Sequence, residues 1–385
     1  MGKTTASDDG IKAHSRGFRQ TMGIPFEQLE PPRWGGPIPD PVERSPLRLS
    51  ESVVVDPPVV LSPMAAVTNP PYRMICREMG AGLVVTEMID AGGLATGHEG
   101  SMEMLDVRDC EHPVAVQIYG NEPEVMAEAA QVVAAAGADA VDVNMGCPMR
   151  KIVRKNLGAA LLQTPELVWQ IFDAMASAVD IPVTGKIRAG WDGADAVDVG
   201  RAMADGGAAA VTIHGRTRSD GYEGHVDLAI IGELVDRVDL AVVGNGDVRD
   251  WASARRMFTT TGCDAVMVAR GALGNPWVFR EIAADLAGDP VPDPPSLDDM
   301  KATIAEHMDL YIETFGEETT AYECRKHLLW YFRGSPGEGA LRNRLADIGC
   351  RADIVAAVEA ACEACRQAGE LPTAAKHHRA RQRAG

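Results

Sequence analysis

Ala136-Gly137-Ala138-Asp139-Ala140-Val141-Asp142-Val143 is the stretch that decides the fold, because its design returns along the chain. Asp205-Gly206-Gly207-Ala208-Ala209-Ala210-Val211-Thr212 and Thr261-Gly262-Cys263-Asp264-Ala265-Val266-Met267-Val268 repeat it, and Met79-Gly80-Ala81-Gly82-Leu83-Val84-Val85 is a further version. In each, a glycine ends a helix, a short linker follows and a Val-rich strand begins. Just upstream of the first copy, residues 123–136 have helical periodicity, with Asn121 placed to cap the start and Gly137 to end it.

Outward from these copies, short apolar runs cover residues 58–64, 83–86, 113–118, 140–143, 181–187, 209–213, 240–243 and 265–269. A continuous apolar run, as opposed to an alternating one, is what a parallel strand buried on both faces requires. Eight such runs, each followed by room for a helix, predict the α/β class and a (β/α)8 TIM barrel over residues 47–290. A proline-rich break, Gly288-Asp289-Pro290-Val291-Pro292-Asp293-Pro294-Pro295, then leads into residues 296–370, which carry only helix-like segments and read as a smaller all-α domain. Residues 1–46 hold seven prolines with balanced charge and read as a weakly ordered arm. Residues 371–385 form a basic tail with Lys376, Arg379, Arg381 and Arg383.

Composition narrows the function classes. The formal net charge of −18 over 385 residues excludes a uniformly basic coat, so any polyanion must meet local patches. One patch is Arg150, Lys151, Arg154 and Lys155, and the tail is the other; solvated surface charge is the competing reading for each. Eight scattered cysteines point to a reducing compartment. Cys362-x-x-Cys365 lies in an alanine-rich helical pattern, where two small residues on one helix face are expected in place of a metal or redox pair. No apolar run reaches 18 residues and the N-terminus has no signal-peptide core, so a soluble, cytoplasmic protein without a membrane partner is expected.

A parallel barrel builds its active site at the C-terminal ends of its strands. Those positions supply Pro63, Met64, Glu87, Gln117, Asn144, Cys147, Lys186, Arg188, His214, Arg216, Asn245, Asp247 and Arg270. In Asn144-Met145-Gly146-Cys147-Pro148 the thiol directly follows the fourth run, and it is either a reactive group or a buried structural cysteine. Lys186 and Arg188 are cations beside the amides of Gln117 and Asn144, as an electron-rich heterocycle accumulating negative charge would need. Gly244-Asn245-Gly246-Asp247 and Arg270-Gly271 are small-residue turns where barrels hold phosphate on backbone N–H groups, so a phosphorylated cofactor fits. No G-x-G-x-x-G follows a strand, and no H-E-x-x-H or clustered Cys/His pattern offers a metal site.

Seven ordered motifs carry a resemblance. They are Pro63-Met64-Ala65-Ala66-Val67-Thr68, Gln117-Ile118-Tyr119-Gly120, Asn144-Met145-Gly146-Cys147-Pro148, Lys186-Ile187-Arg188-Ala189-Gly190-Trp191, Thr212-Ile213-His214-Gly215-Arg216-Thr217, Asn245-Gly246-Asp247-Val248, and Arg325-Lys326-His327 with Trp330-Tyr331. In this order and spacing the chain resembles the tRNA-dihydrouridine synthases, nearest their bacterial B-type, nitrogen-regulator-like branch. The resemblance implies an enzyme that uses FMN and NADPH (or NADH) to reduce the C5–C6 bond of particular uridines in tRNA. It implies Pro63, Met64 and Ala65 along the isoalloxazine, Gln117 and Lys186 at its polar edge, and His214 close to the flavin. Asn245, Gly246, Asp247, Ala269 and Arg270 would hold the phosphate arm, and Cys147 would be the general acid. Asn144, helped by Arg216, would grip a uracil flipped out of the RNA. Arg150, Lys151, Arg154, Lys155, Arg325 and Lys326 would meet tRNA phosphates, with residues 296–370 as the tRNA-binding domain.

The chain departs from the family pattern at Ala159-Ala160, where Gly-Ser is common, at Ala269, where glycine is usual, and in its acidity. Two other readings compete. One is an FMN barrel acting on a free pyrimidine or enone, like the dihydroorotate dehydrogenases; a helical domain bearing Arg325, Lys326, Arg333, Arg342 and Arg344 speaks against it. The other is a non-catalytic flavin- or RNA-binding regulator, which the intact Cys147, Lys186 and His214 disfavour. No motif points to a protein partner.

Overall fold

Each of the eight apolar runs forms a strand of one closed ring. The computed structural model describes residues 37–193 and 196–372. A short hairpin comes first, β1 (Leu47–Arg48) and β2 (Val54–Val55), followed by β3 (Val59–Leu61), β4 (Leu83–Val85) and the two-residue β5 (Ile89–Asp90). Then come β6 (Val114–Tyr119), β7 (Ala140–Met145), β8 (Val183–Arg188), β9 (Ala210–His214), β10 (Ala241–Asn245) and β11 (Ala265–Val268). From β3 the ring runs through β4 to β6 and on in sequence order to β11, which pairs with β3 to close it, all in parallel. The small β5 extends beside β6. This is the expected (β/α)8 barrel, with helices outside and further helices after it.

Alternation along each strand sorts its side chains. On β7, Val141, Val143 and Met145 join the core between strands and helices, while Ala140 joins a second cluster inside the ring. That inner cluster also contains Leu47, Leu49, Val53 and Val55, so the β1–β2 hairpin plugs the N-terminal end of the barrel with apolar side chains. The C-terminal end is left to polar residues.

The helix before β7 spans Pro123–Ala135, and its boundary corrects one expectation. Asn121 does not cap it: Glu122 occupies the cap position without a side-chain bond, and the Asn121 amide instead donates to the carbonyls of Lys155 and Asn156. Pro123 starts the first turn, which leaves Asn121 a residue too far upstream. Gly137 does close the helix, at φ +88°.

Residues 37–46, the described end of the arm, hold no helix or strand, yet they are fastened to the barrel. Arg255 and Arg256 donate to the carbonyls of Pro39 and Pro37, and Arg44 donates to Phe258 O. The rest of the arm and the basic tail from residue 373 lie outside the described residues.

After the last barrel helix, Val278–Ala287, four helices follow: Leu297–Phe315, Glu317–Tyr331, Pro336–Arg342 and Arg351–Ala368. A Ser296/Asp299 capping box opens the first and Gly369, left-handed at φ +65°, closes the last. Cys362 and Cys365 lie buried on that last helix, inside a core built with Trp277, Met308, Tyr331 and Phe332. Where this core meets the barrel, Asn69 donates to Tyr311 Oη, which bonds His327 Nε2 at 3.0 Å, while Tyr331 bonds His307 Nδ1 at 3.2 Å. No described helix is long and apolar enough to cross a membrane.

Candidate active site at the C-terminal end of the barrel

Strand register brings the polar residues together. Gln117 is level with Asp142, Asp142 with Thr184, Asn144 with Lys186, and His214 with both Arg188 and Asn245. Gln117, Asp142, Asn144, Arg188, His214 and Asn245 are all buried. Groups of this polarity stay buried only when hydrogen-bonded, and here they bond one another. Asp142 accepts from Gln117 Nε2 at 2.7 Å and from Thr184 Oγ1 at 2.7 Å. Gln117 Oε1 accepts from Asn144 Nδ2 at 2.7 Å, and Asn144 Oδ1 accepts from the backbone N–H of Cys147 at 3.0 Å and of Gly146 at 3.3 Å.

Cys147 is half-buried on the loop after β7. Burial pushes its thiol above the ordinary range, although the backbone of Met149 and the cations Arg188 and Lys151 pull it back part of the way. At neutral pH its Sγ therefore holds a proton. Arg188 braces the same loop from the β8 side: Nε donates to Gly146 O at 2.6 Å, and Nη1 to Thr217 O and Gly221 O. Its guanidinium also lies over the exposed Tyr222 ring, 5.3 Å from the centroid.

Lys186 reaches Asn245 Oδ1 with Nζ at 3.0 Å, and Asn245 Nδ2 donates to Met267 O, so one amide ties β8, β10 and β11 together. Burial and the neighbouring Arg188 lower the Lys186 ammonium to about 8, and Asp142 opposes them. His214 is kept neutral, first by burial and then by the cations Lys186, Arg188, Arg216 and Arg270. Because Arg216 can only donate, its 3.3 Å contact with His214 Nε2 makes that nitrogen the acceptor and puts the ring proton on Nδ1.

Beyond β10, Asp247 holds a positive φ of 52° amid three guanidiniums: Arg216 at 2.6 Å, Arg270 at 3.0 Å and Arg249 at 3.7 Å. Three guanidiniums, Arg216 buried and Arg249 and Arg270 partly exposed, thus gather around one carboxylate. The turn is closely built, since a Cβ on Gly246 would lie 2.6 Å from Val226 Cγ2 and one on Gly271 would lie 2.4 Å from Val248 O. Only glycine allows the loops after β10 and β11 to approach like this.

The structure thus gathers Gln117, Asn144, Cys147, Lys186, His214, Asn245, Gly246, Asp247, Ala269 and Arg270 at one end of the ring, with Pro63, Met64 and Ala65 on the loop after β3. That loop is held by Glu87, which accepts from the N–H of Ala66, itself at φ +59°. Arg150, Lys151, Arg154 and Lys155 are exposed on and just after the short helix Arg150–Val153. Two expectations are corrected. Lys326 is buried and ion-paired with Glu323, so it is not a surface contact for RNA; Arg325 beside it is half-buried. Arg216 is buried and committed to Asp247, His214 and the carbonyls of Glu223 and Gly224, which makes it a strut of the 217–224 loop and not a grip on a base. Sequence reasoning misses Asp142, Thr184 and Arg249 as site residues. An aspartate inside a strand buried on both faces is the available signal, because such a carboxylate needs partners.

Comparison with known proteins agrees over most of the chain. The family model described as Dihydrouridine synthase matches residues 60–367. The tRNA-dihydrouridine synthase B of Xanthomonas axonopodis pv. citri is 39% identical over 290 residues, covering 75% of this chain and 87% of that relative. That of Pseudomonas aeruginosa is 39% identical over 295 residues (75% and 89%). The probable tRNA-dihydrouridine synthase of Mycobacterium tuberculosis is 41% identical over 303 residues (75% and 78%). An old yellow enzyme homologue from Zymomonas mobilis aligns over 69% of this chain and 96% of its own at a TM-score of 0.46 and 11% identity, too loosely for anything to be carried across. On the family match and these identities, the chain belongs to the dihydrouridine synthase family.

Proposed function

We propose that this chain is a B-type tRNA-dihydrouridine synthase in which FMN is the resident flavin, NADPH or NADH the reductant and Cys147 the proton donor. The observation that carries the reading is the Cys147 thiol, half-buried, protonated and pinned at the end of β7 near Arg188 and Lys151.

The residues present fit FMN. The buried amides of Gln117 and Asn245 and the partly buried Lys186 form a polar floor suited to the polar edge of a flavin ring. The guanidiniums of Arg216, Arg249 and Arg270 gathered at glycine-lined turns suit a phosphate dianion. Pro63, Met64, Ala65 and His214 would flank the ring, and Asn245, Gly246, Asp247, Ala269 and Arg270 the phosphate arm. When bound, FMN supplies the hydride that goes to C6 of the uracil.

The protein's part is to hold the base and deliver a proton. Asn144, with its Oδ1 on the Cys147 loop, keeps one amide hydrogen for the uracil edge. Cys147 Sγ gives its proton to C5, and Arg188 and Lys151 stabilise the thiolate left behind. Neutral His214 adds no charge that would repel Lys186. Exposed Arg150, Lys151, Arg154 and Lys155 begin the path for the RNA backbone, with Arg325 on the helical domain further along. This reading puts the enzyme in the cytoplasm with its tRNA.

Nucleoside mass spectrometry of tRNA incubated with the yellow, FMN-loaded protein and NADPH tests it: dihydrouridine should appear, and its absence from every tRNA tried would end the proposal. Cys147→Ala should leave flavin reduction by NADPH intact and abolish dihydrouridine formation. Loss of FMN in that variant would instead make the cysteine structural.

A further inference from the structure

We propose that Asp142 is a positioning residue for the proton donor: its carboxylate, acting through Gln117 and Asn144, fixes where the Cys147 loop sits. The proposal rests on Cys147 being the acid. Asp142 is buried inside the barrel one layer below the rim and does not touch the loop. Its reach is electronic direction. An ionised carboxylate only accepts hydrogen bonds, whereas each amide offers one accepting and one donating end. With Asp142 accepting from Gln117 Nε2, the Gln117 oxygen must face Asn144; the Asn144 nitrogen must face Gln117; and the Asn144 oxygen must face the N–H groups of Gly146 and Cys147. Every member points the same way.

Were Gln117 to flip, its NH2 would face the Asn144 NH2, and an Asn144 flip that relieved this would set that NH2 against the N–H of Cys147. Thr184 Oγ1, on the other carboxylate oxygen, keeps Asp142 from turning. Burial raises the Asp142 carboxyl above its ordinary range, while the hydrogen bonds from Gln117 and Thr184 and then the charge of Lys186 oppose that rise and favour the ionised form. The chain of contacts crosses β8, β7 and β6 at neighbouring register positions, so it is set by the barrel and not by the loop it controls.

The test uses FMN-loaded protein and two changes. Asp142→Asn keeps an oxygen for Gln117, because its NH2 can donate to a rotated Thr184 hydroxyl. Asp142→Leu keeps the branched four-atom side chain and removes the acceptor. Asp142→Asn should reduce tRNA uridine within about 3-fold of wild type, while Asp142→Leu should be slower by about 30-fold or more, with flavin reduction by NADPH unchanged in both. Alkylation of Cys147 by iodoacetamide is the readout that needs no turnover, and it should quicken about 5-fold or more in Asp142→Leu as the loop loosens. Equal activity of Asp142→Leu and wild type, or Asp142→Asn as damaged as Asp142→Leu, overturns the proposal.

Should Asp142→Leu fail to fold, a polarity exchange decides. Asn144→Asp sets acceptor against acceptor at Gln117, and adding Asp142→Asn reverses the direction of the Gln117 contacts and relieves the clash. Recovery of about 10-fold in the double variant over Asn144→Asp is expected, and no recovery overturns the proposal. If wild type makes no dihydrouridine at all, the functional reading fails, and the alkylation rates still report whether Asp142 holds the loop.

Discussion

Replacing Arg188 by Met tests how the acid loop is braced from its second side. The change removes three hydrogen bonds in which a charged donor meets a carbonyl: to Gly146 at 2.6 Å, Thr217 at 3.1 Å and Gly221 at 2.7 Å. The three carbonyl-bearing residues are only partly buried, so water can replace some of these interactions, and about 1 kcal/mol per bond applies, below the roughly 1.5 to 3 of fully buried bonds to a charged group. The sum is about 3 kcal/mol. Spent entirely on misplacing Cys147, it slows proton delivery by about 100-fold. A second signature is electrostatic: Arg188 is the larger of the two cationic influences lowering the Cys147 thiol, so its removal moves the thiol higher and shifts the pH profile of iodoacetamide alkylation to higher pH. Stopped-flow absorbance separates the half-reactions. Flavin reduction by NADPH should be nearly unchanged while reoxidation by unmodified tRNA slows. A variant that reoxidises within about 3-fold of wild type would falsify the bracing argument.

Stability should fall on acidification because His214, His307 and His327 are all held neutral by burial, His307 down at about 3. Their folded pKa values lie below the unfolded value near 6.5, so the unfolded chain binds the protons; each costs about 1.4 kcal/mol at pH 5.5, and Tm should drop steeply between pH 7 and 5.5. His307→Phe should flatten that slope, and an unaltered slope would show that His307 does not contribute. Changing Arg150, Lys151, Arg154 and Lys155 together to Ala should weaken tRNA binding and reduce the slope of log K against log salt by about 0.7 to 0.9 for each phosphate no longer neutralised, read by filter binding across a salt series. Lys326→Ala should cost about 3 to 5 kcal/mol of stability in urea unfolding, by stranding Glu323, instead of altering the salt slope. A changed salt slope at normal stability would return Lys326 to the RNA surface.

The sequence is most legible where one physical constraint acts alone. A strand buried on both faces must be apolar throughout, and this locates all eight barrel strands to within a few residues. Rim residues are legible for the same reason, since a strand's last residues are fixed once the strand is. What escapes depends on partners distant in the chain. Asn121 looks like a helix cap locally, but its amide is claimed by Lys155 and Asn156. Lys326 and Arg325 are adjacent, and only the packing of the Glu323 face decides that one is buried and the other half-exposed. Asp142 reads as one more position of an apolar strand, and its use appears only once Gln117 and Thr184 stand beside it.

The β1–β2 hairpin has a kinetic consequence. With Leu47, Leu49, Val53 and Val55 stoppering the N-terminal mouth of the ring, among the described residues the polar site faces the C-terminal mouth. On the proposed function, the reductant and the uridine both come to that mouth, and a shared entrance predicts that they take turns. Initial rates at several fixed tRNA concentrations should therefore trace parallel double-reciprocal lines, and excess tRNA should slow the enzyme by blocking its own reductant.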